Sequence, residues 1–353
     1  MKMIEGFKVK IGTLCISSVL RDITNHMLGV NYGEEIYYGL GCGLFFAYTM
    51  SNEVVGLGGF TDLILDNLRD SLTLTKVETY APDDVVFDKI RFSIDAGLPV
   101  LVSGLHFHSK EDLALDTEAT EKLDLPMNYH YTIIAGYDDE TKELFMADNK
   151  SSGNVSYENF LKFRDHRNML TQFLFPPTLE HLDARIYAAI RKLTDYWYRM
   201  PENPKSFADV YTTDFLHLSN VYNTMEGLEN FRKLFLHGPE MESLENFQKS
   251  MFFIQAISYR GTGGDMTRGL YSRFLREGAA ITGEDKMLEV SKLYATAARE
   301  WRKFFKIFDG NPTVIYEQIK DETQNSVFFE AIEQVYQCEM TAMSALNDLA
   351  YGK

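Results

Sequence analysis

The sequence predicts an α+β protein of two domains: a mixed helix-and-strand domain over residues 1–176 and an all-helical domain over residues 177–353. Up to about residue 175, helix-like segments alternate with short β-branched and aromatic runs, whereas only amphipathic helical patterns follow Thr178. Pro176-Pro177 lies between the two patterns and marks the predicted boundary, because consecutive prolines interrupt helices and strands alike. A chain of 353 residues is long enough for two domains of roughly 100–200 residues each.

The mixed half begins with the strand-like run FKVKIG, and a helix is predicted over SSVLRDITNHML, with Cys15 at or just before its start. TDLILDNLRD predicts a second helix, for which Thr61 is the expected cap. A third helix is predicted from Pro82 to Gly97. The following run PVLVSG, bounded by proline and glycine, predicts a strand.

A β-hairpin is predicted next, from two β-branched and aromatic runs joined by DDETK. Its strands are expected near Tyr131–Tyr137 and Glu143–Ala147. QFLFPP closes this half of the chain.

The second half repeats apolar residues at three- and four-residue steps, which is typical of amphipathic helices. LEHLDARIYAAIRKLTDYW is the first such segment. Further helices are predicted around Leu244–Tyr259, Asp265–Ile281, Asp285–Phe308 and Val314–Ala350. The long terminal helix leaves open a homodimer, since it could pair with a second copy or equally cover its own domain.

Composition excludes several classes of partner. The formal net charge of −16, from 51 acidic and 35 basic residues, repels phosphate backbones and makes nucleic acid a poor partner. The amino-terminal residues lack the apolar core of a secretory signal, and no apolar run is long enough to span a membrane. The 3 cysteines fit no disulfide framework, so we expect a reduced, cytoplasmic location. The same excess of acidic residues would also repel an acidic carrier protein. Docking of such a protein would need a local basic patch, for which Lys8, Lys10 and Arg21 are candidates.

Cys15 is the candidate nucleophile. A cysteine at a helix amino terminus is activated by unpaired backbone N–H groups and by the positive end of the helix dipole. The same N–H groups can receive the oxyanion of a tetrahedral intermediate. The alternative is that Cys15 is a buried cysteine that only packs. Cys42 is a rival nucleophile, but we assign it a packing role, because glycines flank it and an apolar run follows.

A cysteine nucleophile needs a base and a group that orients the base. His130 stands where the first hairpin strand begins and Asp148 follows the second strand, so the turn brings them opposite each other. A carboxylate placed there fixes the imidazole tautomer and stabilises the imidazolium. Asn149 could take the same role, because cysteine enzymes also use an amide.

The remaining motifs predict no metal or cofactor. His106 and His108 could share one strand face, but no third ligand is evident, and neither a phosphate loop nor a dinucleotide motif is present. Gly261–Gly264 with Arg268 could form a helix entry that meets a substrate anion. It could equally be a glycine-rich connector in which Asp265 caps the helix.

Three stretches of the sequence together resemble the family named for the butirosin biosynthesis acyltransferase. They are CISSVLRDITNHMLGVNYGEEIYYGLGCGLFFAY, HYTIIAGYDDETKELFMADN and GTGGDMTRGLYSRFLREGA. The resemblance implies a papain-like first domain and places the triad on Cys15, His130 and Asp148. It also implies that substrate contacts lie at Glu34, Gly41, Gly43, Tyr48 and Arg268. Leu14 departs from the His expected before the nucleophile in many relatives, and no Gln precedes Cys15 to complete an oxyanion hole.

The resemblance implies a cysteine-dependent acyltransferase that moves an acyl group from a thioester of an acyl carrier protein or coenzyme A to an amine, in secondary metabolism. The helical half would bind the acceptor. A thioesterase or cysteine peptidase would use the same three residues with water as the acceptor. A non-catalytic binding protein on a peptidase-like fold is the third hypothesis.

Overall fold

The computed structural model describes residues 1–51, 54–60, 63–105, 129–164, 169–174, 178–199, 218–238 and 241–352. Thr61, the pair His106 and His108, and Pro176-Pro177 lie outside these ranges. The predicted helix cap, the H-x-H motif and the proline boundary therefore stay predictions. Across the described helices, none combines the length and the apolar character needed to cross a membrane.

The strands and helices alternate through the first half of the chain, and helices dominate the second. The strands are β1 (Lys2–Met3), β2 (Leu44–Ser51), β3 (Val55–Phe60), β4 (Lys76–Tyr80), β5 (Val100–Leu105), β6 (Tyr129–Asp138), β7 (Glu143–Ala147), β8 (Ser152–Ser156), β9 (Met169–Phe173) and β10 (Leu218–Asn223). The helices are α1 (Cys15–Leu28), α2 (Glu34–Leu40), α3 (Ile64–Leu72), α4 (Val86–Asp95), α5 (Tyr157–Arg164), α6 (Leu182–Arg199), α7 (Thr224–Leu234), α8 (Leu244–Phe253), α9 (Arg268–Thr282), α10 (Lys286–Ile307), α11 (Pro312–Lys320) and α12 (Ser326–Tyr351). A π-helical stretch, Ile254–Tyr259, continues α8.

The chain divides into two compact units that are not contiguous in sequence. Residues 1–37 and 68–180 form the mixed unit, and residues 38–67 and 181–353 form the helical unit. The segment 38–67 was predicted to lie in the first domain, but it carries β2 and β3, which form one sheet with β10 of the second half. The chain therefore crosses between the two units three times, after residues 37, 67 and 180.

The mixed unit contains a seven-stranded sheet in the order β4-β9-β5-β6-β7-β8, with β1 pairing to β6 beside the start of β5. Every strand pair described in this sheet is antiparallel. The predicted hairpin is confirmed, because β6 and β7 pair from Ile133 opposite Ala147 to Asp138 opposite Glu143. β6 is thus an interior strand with β5 on one side and β7 on the other.

Two predictions for the mixed half were wrong. The run FKVKIG alternates like a strand, yet residues 7–12 join no sheet, because side chains bind much of the backbone that leads to Cys15. The helix predicted from Pro82 begins later, at Val86, since the carbonyl of Pro82 accepts from the amides of Val85 and Val86 in a preceding turn.

The prediction of an all-helical second half was also wrong, because β10 lies there and forms a three-stranded antiparallel sheet with β2 and β3 in the helical unit. The segment predicted as Val314–Ala350 is two helices, α11 and α12, separated by a turn that begins at Asp321. Around the sheet lies an aromatic core in which Trp301 contacts Phe46 and Phe231 at ring-centroid distances of 5.7 and 5.6 Å.

Candidate active site

Cys15 is the first residue of α1 and is partly exposed. The residue before it, Leu14, is extended and has no side-chain group that could accept the amides of the first turn. The first amides of a helix have no intrahelical acceptor. A polar side chain at the residue before the helix normally accepts from them and stabilises the helix. Cys15 therefore lies beside uncapped N–H groups at the positive end of the α1 dipole, where a thiolate or an oxyanion is stabilised.

The backbone before Cys15 is fixed by an ion pair within α1. Arg21 and Asp22 are both buried and meet at 2.7 Å. Asp22 Oδ2 accepts from the amide of Lys10 at 3.1 Å, and Arg21 donates to the carbonyls of Lys10 and Ile11, the second at 3.2 Å. Arg21 is therefore not part of an exposed basic patch, unlike Lys8 and Lys10, which are exposed.

Asn149 holds the next two residues. Its backbone carbonyl accepts from the amide of Gly12 at 2.8 Å, and its side-chain Nδ2 donates to the carbonyl of Thr13 at 3.0 Å. Its Oδ1 is buried and has no hydrogen-bond partner among the described residues. Asn149 is the alternative partner predicted for His130, but its described bonds go to the chain before Cys15 instead.

Glu34 begins α2 and faces the same segment. Its carboxylate accepts from the amides of Thr13 and Leu14 at 2.7 and 2.9 Å, and from Ser17 Oγ at 2.7 Å. Gly12 lies against this group: a Cβ there would stand 2.8 Å from Glu34 Oε2 and 1.8 Å from Ser18 Oγ. These bonds were not predicted, since no spacing rule relates residue 34 to residues 13 and 14.

His130 lies on β6 and is 8% exposed. Its Nε2 is 3.1 Å from Asp148 Oδ2, and Cys15 is close enough to influence its pKa. Burial lowers the pKa of His130, but the electrostatic effect of Cys15 and the hydrogen bond to the negatively charged Asp148 raise it to about 9. The imidazole therefore carries its proton at neutral pH.

Asp148 directly follows β7 and is buried. Its Oδ1 accepts from the amides of Lys150 and Ser151, both at 2.7 Å, so the turn after β7 fixes the carboxylate. Its Oδ2 faces His130. His130 and Asp148 are thus in direct contact, the turn after β7 holds the carboxylate, and Cys15 is close enough to His130 to raise its pKa.

The other predicted substrate residues, except Glu34, belong to the helical unit and make internal contacts there. The carbonyl of Gly41 accepts from Asn67 Nδ2 at 3.0 Å, and a Cβ at Gly43 would lie 2.4 Å from the ring of Tyr38. Tyr48 is fully buried, with its ring stacked on that of Tyr222 at 6.4 Å. Their role as substrate ligands stays a prediction.

Arg268 begins α9, and its side chain is completely buried. Its Nε donates to Glu339 at 2.6 Å, and its NH1 donates to the carbonyls of Phe45 and Met266 at 2.8 and 2.6 Å. Trp301 Nε1 donates to the same carboxylate at 2.6 Å. The guanidinium neutralises an internal carboxylate, so these contacts give it a structural role and supply no support for a substrate anion there.

Cys42 has the surroundings of a packing residue. It is fully buried in the helical unit, and burial raises the pKa of its thiol to about 12. Its Sγ lies 3.5 Å from the carbonyl of Ala189. Within the described ranges, no group of His, Cys, Asp and Glu has the arrangement of a metal site.

Comparison with known proteins assigns a family but no activity. The family model described as "Domain of unknown function (DUF4872)" matches residues 162–346, and no curated protein matches the sequence. A crystal structure from Bacillus anthracis, described as C39-like peptidase, covers 50% of this chain and 100% of its own at 13% identity, with a TM-score of 0.35. A TM-score of this size does not establish a common fold. Because the family model spans more than half of the 353 residues, the chain belongs to the family defined by the domain of unknown function DUF4872.

Proposed function

We propose that this chain is a cysteine-dependent acyltransferase of papain-like design, in which Cys15 carries the acyl group between a thioester donor and an amine. The observation that supports the proposal most directly is the position of His130, which is 3.1 Å from the carboxylate of Asp148 and close enough to Cys15 for the cysteine to raise its pKa. The motif resemblance to the butirosin acyltransferase family supplies the reaction class. None of the matches reported above names that family.

In the first half-reaction, Cys15 Sγ attacks the thioester carbonyl and forms a new C–S bond. The amide of Cys15 at the start of α1 is oriented to stabilise the oxyanion. The donor C–S bond then breaks, and the imidazolium of His130 gives its proton to the departing thiolate. In the second half-reaction, neutral His130 takes a proton from the attacking amine while the C–N bond forms and the acyl-cysteine bond breaks.

Intact-protein mass spectrometry after mixing with a panel of acyl thioesters tests the proposal. We expect a covalent acyl adduct that maps to Cys15, is absent in Cys15→Ala, and discharges faster onto amines than onto water. Cys338→Ala is the matched control, because Cys338 is also partly exposed but lies on α12, and it should acylate like the wild type.

Other outcomes select the alternatives. Discharge mainly by water would identify a thioesterase or peptidase that uses the same three residues. The enzymatic proposal would be contradicted if no donor formed an adduct and Cys15 also resisted alkylation at neutral pH. That outcome would favour a non-catalytic binding protein.

A further inference from the structure

Glu34 is a buried carboxylate whose described hydrogen bonds all go to the chain around the nucleophile. It is 6% exposed, and it accepts from Thr13, Leu14 and Ser17. Thr13 and Leu14 lie two and one positions before Cys15, and Ser17 lies two positions after it. No hydrogen bond joins Glu34 to Cys15 or His130 in the described chain, so the carboxylate acts on the site only through the backbone that carries Cys15.

We propose that Glu34 is a positioning residue, which sets the backbone of Thr13 and Leu14 and thereby the distance between Cys15 Sγ and His130. This inference rests on the proposed role of Cys15 and His130 as nucleophile and base. It differs from the substrate contact that the family resemblance implies at the same residue.

The three donors require a carboxylate. Glu34 Oε2 accepts from the amide of Thr13, while Oε1 accepts from both the amide of Leu14 and Ser17 Oγ. An amide side chain would turn an NH₂ group toward one of these donors, because glutamine has a single acceptor oxygen. An ionised acceptor also makes shorter and stronger bonds than a neutral one.

The bonds matter because no β-ladder fixes this part of the chain. Residues 10–14 join no strand, and they are held by Arg21, Asp22, Asn149 and Glu34. Of these four, Glu34 binds nearest to Cys15, at Leu14. A displacement of about 1 Å between reacting groups can cost about 100-fold in rate, so a small movement of Leu14 would affect catalysis strongly.

A substrate ligand at Glu34 would need a lone pair directed to the ligand and access from solvent. The carboxylate is almost fully buried and already accepts three hydrogen bonds. Gly12 packs against it so closely that a Cβ would stand 2.8 Å from Oε2. The packing around Glu34 therefore favours a fixed structural acceptor over an exchangeable one.

Glu34→Gln tests the proposal, with Glu35→Gln as the matched control. Glu35 is the next residue of α2, carries the same charge and is partly exposed. Two rates are measured: alkylation of Cys15 by iodoacetamide, which needs no substrate site, and acylation by a thioester donor. In Glu34→Gln we expect both rates to fall by about tenfold to 100-fold with little change in KM, while Glu35→Gln stays within about twofold of the wild type.

A raised KM for the donor with wild-type alkylation in Glu34→Gln would overturn the proposal and identify a substrate ligand. Wild-type values of both rates would overturn it as well. If Glu34→Gln does not fold, Ser17→Ala decides, since it removes one of the three bonds and leaves the carboxylate in place. Slower alkylation by at least about threefold supports the proposal, and an unchanged rate overturns it.

The outcome is separable from that of the proposed function. A wild-type protein that forms no acyl adduct, but whose Cys15 alkylates much faster than that of Glu34→Gln, would contradict the acyltransferase proposal and leave the positioning role intact. A wild type that transfers acyl groups, together with an equally active Glu34→Gln, would support the acyltransferase proposal and contradict the positioning role of Glu34.

Discussion

At the scale of single residues, the candidate site depends on buried polar side chains that bind the backbone around Cys15 or the side chain of His130. Asp148 and Asn149 are adjacent, yet the first faces His130 and the second binds Gly12 and Thr13. One turn after β7 therefore binds both the side chain of His130 and the chain that leads to Cys15.

Asp148→Asn is expected to lower the pKa of His130, because the hydrogen bond and the charge of Asp148 both raise it toward about 9. Imidazolium is the acid for the leaving thiol, so the wild-type acylation rate should fall as the pH rises through about 9, and the variant should lose its rate at lower pH. A pH–rate profile measures this, and NMR titration of isotopically labelled histidine gives the same pKa without turnover. An unmoved titration in the variant would contradict the assignment.

The same pKa makes a prediction about stability. The pKa of His130 is raised above its ordinary value of 6.5, so its contribution to stability is fully present below pH 6.5 and is lost as the pH rises through about 9. Urea unfolding of His130→Ala and wild type at several pH values checks this. The stability difference between them should shrink from pH 6 to pH 10, and a constant difference would contradict the raised pKa.

The buried pair of Arg268 and Glu339 should be costly to break from one side. Arg268→Met would leave the Glu339 carboxylate buried with only Trp301 as its described donor, and the loss of one partner of a buried pair costs about 3–5 kcal/mol. Replacing both residues with Met should cost less than the single change, because no charge then stays unpaired. Urea unfolding of the two variants measures the free energies, and a double variant less stable than Arg268→Met would contradict this reading.

At the scale of elements, β6 carries His130 and β5 pairs with it. Gly104 of β5 lies opposite His130 of β6, and a Cβ at Gly104 would stand 2.1 Å from the backbone carbonyl of Phe163 at the end of α5. The strand and the helix approach each other this closely only because residue 104 has no side chain. The fit of α5 on the sheet thus bears directly on the strand that places the imidazole.

Gly104→Ala should therefore destabilise the protein by about 1–3 kcal/mol, the usual cost of forcing extra atoms into a packed interior. Gly153 on the edge strand β8 is the matched control, since a Cβ there meets nothing within 4 Å. Urea unfolding compares Gly104→Ala with Gly153→Ala. Equal stabilities would mean that α5 shifts away without cost.

Sequence patterns predicted the elements with strong periodicity and missed those held by long-range pairing. The β6–β7 hairpin was predicted from its apolar runs and its polar turn, and with it the proximity of His130 and Asp148. β10 was missed because its partner β2 lies far away in the sequence. The contacts of Glu34 could not be predicted either. They join α2 to the chain before Cys15, where apolar and polar residues alternate as in a strand although the segment pairs with no other strand.

At the scale of the whole molecule, the helical unit needs a segment that precedes most of the mixed unit. Residues 38–67 supply β2 and β3, the carbonyl of Phe45 that Arg268 binds, and the ring of Phe46 that contacts Trp301. The DUF4872 match covers residues 162–346 and so omits this segment. The matched region alone thus lacks two strands of the three-stranded sheet in the helical unit.

A fragment of residues 181–353 should therefore lack a cooperative unfolding transition, because β10 would present an unpaired edge and part of the aromatic core would be open. The control joins residues 38–67 to the amino terminus of this fragment through a flexible linker, and it should regain the transition. Circular dichroism during urea unfolding measures both. A fragment of 181–353 that unfolds cooperatively on its own would contradict the prediction.

The interleaving of the two units also has a consequence for synthesis on the ribosome. Residues 38–67 emerge early, but the strand and helices that cover them lie beyond residue 180. At about 5–20 residues per second, the β2–β3 pair would wait on the order of tens of seconds for its partners. During that interval its apolar side chains have no native cover, so the nascent chain is most exposed to aggregation, and to chaperone binding, while the mixed unit is still being made.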